Sequence, residues 1–395
     1  MSRPPVRDGW IEVAGGRVSA ASWIERDHPR EDPVEEIDLG AGAAILPGLV
    51  NAHTHLELSD LAGKVPPAPS MVDWIRTLLA ARAGTQPDAR AIDAAIGAAR
   101  RSGTVAFGDV SNTLASADPL LASGCRAVVF HEILGFAVRD PDPVVAHAVS
   151  RSADLEGGRV RIRPAPHAAY SVSPALLAAL AAAAGSHGLW PSTIHVAESA
   201  EEVEFLETGG GPFRRLLEDL GAWDEAWEPP GVGPVEYLCR LGVLGPRSLV
   251  VHGVRLTPAD LTRLAAIGAT LVTCPRSNQW TGSGPPPLAA IFASGLNVAI
   301  GTDSLASAPD LNLFAELAEA RRLAPAVPAS RLIRAATTGG ASALAFPELG
   351  ALERGTESAS LITVAVPQRT TDVEEYLVGG IDADQVGWLE ARTDT

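Results

Sequence analysis

Across residues 45 to 347 the chain alternates between two kinds of pattern. Short apolar, β-branched runs end in polar residues, and each is followed by a stretch rich in Ala and Leu. Eight such runs stand in order, at 45–51, 104–109, 127–132, 160–165, 192–196, 248–252, 270–273 and 297–301. Runs this short and apolar, bounded by turn residues, read as buried strands. Helical patterns lie between them, at 89–101, 174–187, 234–241, 258–267 and 311–322. Pro174, Pro234 and Pro258 stand near three helix starts, where a missing N–H costs least. Eight strand–helix repeats over roughly 300 residues predict a (β/α)8 TIM barrel rather than an open doubly wound sheet. No GxGxxG follows the first run, which weakens a dinucleotide-binding alternative further.

The two ends have a different texture. Residues 1–48 read as short strands and turns: a strand at 10–13, a Gly15-Gly16 turn, a strand at 17–24, and a charged, Pro-containing loop at 27–36. The tail holds a turn at 350–355, a β-rich run at 359–366 and a short mixed segment at 371–395. The expectation is that 1–48 and 348–395 combine into a small β-sandwich and that 49–347 form the barrel. Residues 209–234, rich in Gly, Trp and Pro, read as a loop long enough to act as a lid.

Composition narrows the class. With 395 residues, 46% hydrophobic and 20% charged, the chain can bury a large core. No apolar run reaches the roughly 20 residues of a membrane span, and the N-terminus lacks an apolar signal region. A cytoplasmic protein without membrane attachment is expected. A net charge of −16 disfavours nonspecific binding to nucleic acid or anionic membrane. The expected partners are a small-molecule substrate and, in a homodimer, a second copy of the chain. Cys125, Cys239 and Cys274 are far apart with no CxxC spacing, so they read as reduced thiols. The sequence contains one lysine, Lys64.

In a barrel of this kind the active site gathers at the C-terminal ends of the strands. The first run leads into His53 and His55, which share a face because side chains alternate along a strand. The fourth leads into His167, the fifth ends in His195-Val-Ala-Glu198, the sixth in His252, and the eighth leads into Asp303-Ser304. The seventh continues into Cys274-Pro-Arg-Ser-Asn278. Singly, His167 or His252 could be an ordinary core histidine, and Glu198 an acid favoured by a helix N-terminus. Together they make a metal site. His53, His55, His195 and Asp303 form a ligand set suited to one Zn or Fe ion. Such an ion lowers the pKa of a water molecule, and Glu198 beside it can move protons. His252 can hold or polarise the same water.

At these residues the chain resembles the amidohydrolase superfamily, in its branch of mononuclear aminohydrolases and chlorohydrolases acting on nucleobases, nucleosides and triazines. The resemblance rests on LPGLVNAHTHLEL, PHAAYSVS, HVAES, VVHGV, CPRSN and GTDSLAS, in order. It implies that His53, His55, His195 and Asp303 bind the metal, and that Glu198, His252 and Asp303 serve catalysis. It further implies a substrate contact at His167, with Trp74, Asn278 and Ser304 as additional candidates. Binuclear members bridge two metals with a carboxylated lysine at the end of the fourth strand. Here that strand reaches His167, and Lys64 lies after the first, so a single ion is expected. The implied reaction is hydrolytic deamination of an adenine-type nucleoside. Arg276 or another arginine could then pair with a carboxylate on its tail. The alternatives are another purine or triazine aminohydrolase, a chlorohydrolase, or a metal-free barrel serving as an assembly protein.

Overall fold

The computed structural model describes residues 4–25, 35–155, 158–186 and 191–389. Most of the stretch read as a loop at 27–36, His187 and the last six residues lie outside them. In chain order the strands are β1 (Ile11–Ala14), β2 (Arg17–Ala21), β3 (Ala43–Pro47), β4 (Leu49–Thr54), β5 (Thr104–Ser111), β6 (Arg126–Ile133) and β7 (Val160–Pro166). There follow β8 (Ser192–Val196), β9 (Ser248–His252), β10 (Thr270–Thr273), β11 (Asn297–Ile300), β12 (Leu361–Ala365) and β13 (Val386–Trp388).

Strands β4 to β11 are the eight parallel strands of the (β/α)8 barrel. They hydrogen-bond as two four-stranded sheets, β4-β5-β6-β7 and β8-β9-β10-β11. Two parallel bridges close the ring, Thr54 to Asp303 and Ala168 to His195. Both seams therefore run through the strand ends that carry the candidate chemistry. Gly301 makes the first seam possible, because a Cβ there would come within 2.6 Å of the His53 carbonyl oxygen. One buried cluster takes Val50, Ala106, Val128, Ala165, Val251, Val272 and Ala299 from seven different strands. Small and β-branched side chains fill such a barrel, so it is a packed core with its site at one end.

Strands from both ends of the chain form separate antiparallel sheets. β3, β12 and β13 make one, and the β1–β2 hairpin another. Val18 N–H donates to Thr356 O at 2.9 Å and Gly355 N–H to Val18 O at 2.8 Å, tying the hairpin to the C-terminal part.

Two expectations need correction. The run at 45–51 is two strands in two sheets, broken at Pro47-Gly48. Gly48 N–H turns to Ser360 O at 2.7 Å, and Leu49 N–H then reaches Gly103 O at 2.9 Å. A Cβ on Gly48 would lie 2.1 Å from Val105 Cγ1, so glycine is required where the chain changes sheet. Both halves are apolar, which hides the break from the hydropathy pattern. The segment 209–234 is not an open loop, because Gly211–Asp219 is a helix with Phe213, Leu216 and Leu217 buried at i, i+3 and i+4 spacing. Beyond it Trp223 stacks on Phe136 at 5.7 Å and Trp227 on Phe205 at 4.7 Å. Its aromatic content anchors it to the barrel.

Candidate metal centre

β4 delivers His53 in its last turn of backbone, and His55 follows one residue past the strand. Their ring centroids are 4.9 Å apart. Across the first seam Thr302 and Asp303 both donate backbone N–H to the His53 carbonyl, at 3.0 and 3.1 Å. That contact sets Asp303 Oδ1 3.8 Å from His53 Nε2 and 3.5 Å from His55 Nε2. Across the second seam the His167 carbonyl accepts from His195 N–H at 3.0 Å. It also lies 2.9 Å from His195 Nδ1. A carbonyl only accepts, so Nδ1 carries the proton and the Nε2 lone pair of His195 is left free. His53 and His195 have centroids 5.1 Å apart, and His53 and His252 5.5 Å.

The donors of His53, His55 and Asp303 lie within 4.8 Å of one another, as do those of His53, His195 and His252. Neither ring nitrogen of the buried His53 has a hydrogen-bond partner among the described residues. Burial, reinforced by the neighbouring His55, holds His53 well below its ordinary pKa. Burial likewise lowers His195 to about 3. Burial alone would raise Asp303, but His55 and His252 beside it and a hydrogen bond from Ser277 outweigh this and keep its carboxyl low. Neutral imidazoles, an ionised carboxylate and unpartnered buried nitrogens are the donor set a divalent metal takes.

Glu198 follows β8 through Ala197, a non-glycine residue at φ +53°. Its Oε1 stands 3.5 Å from His252 Nε2. Burial, then the nearby Asp303 and Glu202, push its carboxyl well above the usual range. His252 Nδ1 pairs with Asn278 Oδ1 at 2.8 Å, which turns Nε2 toward Glu198.

The remaining candidates fall into different places. His167 stands beside His195, centroids 4.9 Å apart, and its Nδ1 hydrogen-bonds Ser171 Oγ. Asn278 touches the centre through His252, and among the described residues its Nδ2 has no hydrogen-bond partner. Ser304 pairs with Ser307 Oγ at 3.0 Å, and Ser307 in turn donates to Asp303 Oδ2 at 3.0 Å. Trp74 packs with Leu58, Leu61 and Val65, its indole N–H given to Ala306 O at 3.3 Å. Arg276 is already engaged, with Glu316 at 2.6 Å and Asp310 at 2.9 Å, and so is no free receptor for a carboxylate tail. Lys64 is exposed in the turn after Leu56–Leu61.

Two residues were missed. Glu202 stands where an ordinary helix-start acid would, yet reaches back to accept Ala197 N–H at 3.0 Å and Glu198 N–H at 2.8 Å. Glu132, the last residue of the third predicted strand, turns into the site 3.7 Å from His195 Nδ1. Asking what that strand ends in would have found it.

Residues 44–384 match the amidohydrolase family. The chain is 35% identical over 347 residues to the aminodeoxyfutalosine deaminase of Deinococcus radiodurans, covering 84% of this chain and 80% of that one. It is 32% identical over 372 residues to a 5-methylthioadenosine/S-adenosylhomocysteine deaminase of Nitratidesulfovibrio vulgaris, covering 90% and 78%. Its fold superposes on an adenosine deaminase from Xanthomonas campestris with bound zinc, with a TM-score of 0.76, 27% identity, and 96% and 86% covered. The chain belongs to the amidohydrolase family and is a hydrolytic deaminase. Among the described residues no helix is long and apolar enough to cross a membrane.

Proposed function

We propose that the chain deaminates an adenine-type nucleoside, that its substrate is aminodeoxyfutalosine, and that it thereby serves menaquinone biosynthesis. One divalent ion, zinc or iron, would be held by His53, His55, His195 and Asp303. The observation that carries the catalytic reading is Glu198, a buried carboxyl raised by burial and set 3.5 Å from His252 beside that ligand set. The substrate reading draws support from the Deinococcus relative and from the stretches HTHLELS, FHEILG, AESAEEVEFLETGGGPF and PPGVGPVEYL, which resemble that group of enzymes.

When bound, the ion lowers the pKa of a water molecule toward 7 and so supplies hydroxide at neutral pH. Glu198 takes a proton from the attacking water at its carboxylate and gives it to a ring nitrogen of the base. It then takes the remaining hydroxyl proton and gives it to the departing amine, which leaves as ammonia. His252, fixed by Asn278, presents Nε2 to that exchange. Asp303 accepts from Ser277 and Ser307 on Oδ2, which leaves Oδ1 toward His53 and His55. His167 contacts the substrate from the end of β7. A second reading, a nucleoside with a thioether tail, is favoured by the Nitratidesulfovibrio relative.

An ammonia-release assay with the shift in base ultraviolet absorption tests this. Aminodeoxyfutalosine should outrank 5′-methylthioadenosine, S-adenosylhomocysteine and adenosine. Preference for a triazine or guanine would overturn the substrate reading and leave the deaminase intact. Elemental analysis should find one ion per chain, and His167→Ala should lower kcat/KM without changing it.

A further inference from the structure

We infer that Glu132 binds the substrate's sugar: its free carboxylate oxygen accepts hydrogen bonds from vicinal hydroxyls, a role that rests on the nucleoside reading above. Glu132 lies near the C-terminal end of β6, buried, with Asn112 Nδ2 donating to Oε2 at 2.9 Å. Oε1 has no hydrogen-bond partner among the described residues. A buried carboxylate oxygen left unpaired costs more than an ordinary hydrogen bond returns, so a donor is expected there in the working enzyme. His195 Nδ1 stands 3.7 Å away, but its proton is already given to the His167 carbonyl.

The donor atoms of Glu132, His167 and His195 lie within 4.8 Å of one another, so a second cation is the competing occupant. It fails on the count of lone pairs. His195 has one free ring lone pair, on Nε2, and the ligand set with His53 and Asp303 uses it. What remains is a bare carboxylate oxygen beside the His167 ring, whose Nδ1 is bound to Ser171. Such a corner takes a group that can both donate and accept, as two adjacent hydroxyls do. The adenine edge also carries a donor, its amine, but that amine is the leaving group and must face Glu198 and the ligand set, which leaves this corner to the sugar. Glu132 also repels an anionic tail, so an aromatic carboxylate must leave the site by another side.

The test is steady-state kinetics with adenosine, 2′-deoxyadenosine and 3′-deoxyadenosine. Where one of them is not turned over, its inhibition constant against aminodeoxyfutalosine is read instead. Hydrogen bonds to a charged group predict a wild-type preference for adenosine of about 10- to 100-fold. Glu132→Ala should bring that preference close to unity and Glu132→Gln, which keeps a neutral acceptor, should cut it to about 10-fold or less, with metal content unchanged. Asn112→Ala, which frees the carboxylate to swing, should weaken the preference in the same direction. Equal losses on all three sugars, or a metal-depleted Glu132→Gln, would overturn the inference. Failure of the nucleoside reading looks different: the wild type itself would neither turn over nor bind any adenine nucleoside, and the inference would fall with it.

Discussion

The two halves of the barrel differ in how fully most of their buried acids are bonded, with Glu132 the exception in one half and Glu202 in the other. In the β4–β7 half, strands are six to eight residues long, and the acids at their ends are mostly filled with donors. Glu57 accepts from Ser111 Oγ at 2.8 Å, Thr113 Oγ1 at 2.9 Å and Arg82 at 3.2 Å. Burial would raise its carboxyl, but these contacts outweigh it and hold the group low. Asp109 accepts Leu56 N–H at 2.8 Å and a hydroxyl from Ser116. In the β8–β11 half, strands are four or five residues long. Glu198 and Asp303 there keep oxygens facing histidines. Ala197, His252 and Asp303 have φ of +53°, +74° and +58°. Left-handed backbone at a non-glycine residue costs roughly 1–3 kcal/mol and persists only where the surroundings force it. Leu114 at φ +63° shows that the β4–β7 half holds such backbone too, but at Ala197, His252 and Asp303 it lies where the side chains of the site are aimed.

If that division is right, the largest effect comes from the open half. Glu198→Gln should keep its metal and its KM while kcat falls at least 10²- to 10⁴-fold, the range of simple acid–base assistance. Near-normal turnover would shift the proton transfer to His252. The matching change in the filled half is Glu57→Gln, which breaks the pair with Arg82 and unbalances the Ser111 and Thr113 bonds. It should cost about 1–3 kcal/mol of stability, read as a lower Tm, with kcat close to wild type. A loss of kcat at unchanged Tm would erase the contrast between the halves.

This contrast also marks what the sequence reveals. Strand ends are visible because hydrophobic runs stop at polar residues, and 192–196, 248–252 and 270–273 coincide with β8, β9 and β10. The histidines and Asp303 stand at those stops, so the residues that meet at the seams could be picked out from the chain alone. Contacts that depend on a side chain folding back could not. Glu202 has the spacing of any helix-start acid, and only the turn at Ala197 aims its carboxylate at two N–H groups. Asn278 and Ser304 sit in recognisable stretches, yet they contact His252 and Ser307, which are distant or local partners no hydropathy pattern encodes. The break at Gly48 is hidden for a similar reason, since a change of sheet leaves the apolar run intact.

The smallest expected effect concerns Glu202 and asks whether the open half also stores its strain in charge. Burial raises its carboxyl from 4.5 to about 7, against hydrogen bonds from the Glu198, Ala197 and Ser199 backbone. A folded-state pKa above the unfolded value means that the fold prefers the neutral acid. Its stabilising contribution is complete below about pH 4.5 and is lost as pH rises through about 7. Wild-type Tm should therefore carry a downward component between pH 5 and pH 8 that comes from this residue. Glu202→Gln cannot ionise, and its amide oxygen can still accept one of the two N–H groups. The variant should start with a lower Tm at pH 5, because one donor is left unpaired, and then lose less on going to pH 8. The difference between the two slopes should be a few degrees at most, since one titrating group is spread over the unfolding of a large barrel. Parallel slopes would mean that the two N–H groups keep Glu202 ionised throughout, making it a fixed anionic clamp on the turn that carries Glu198.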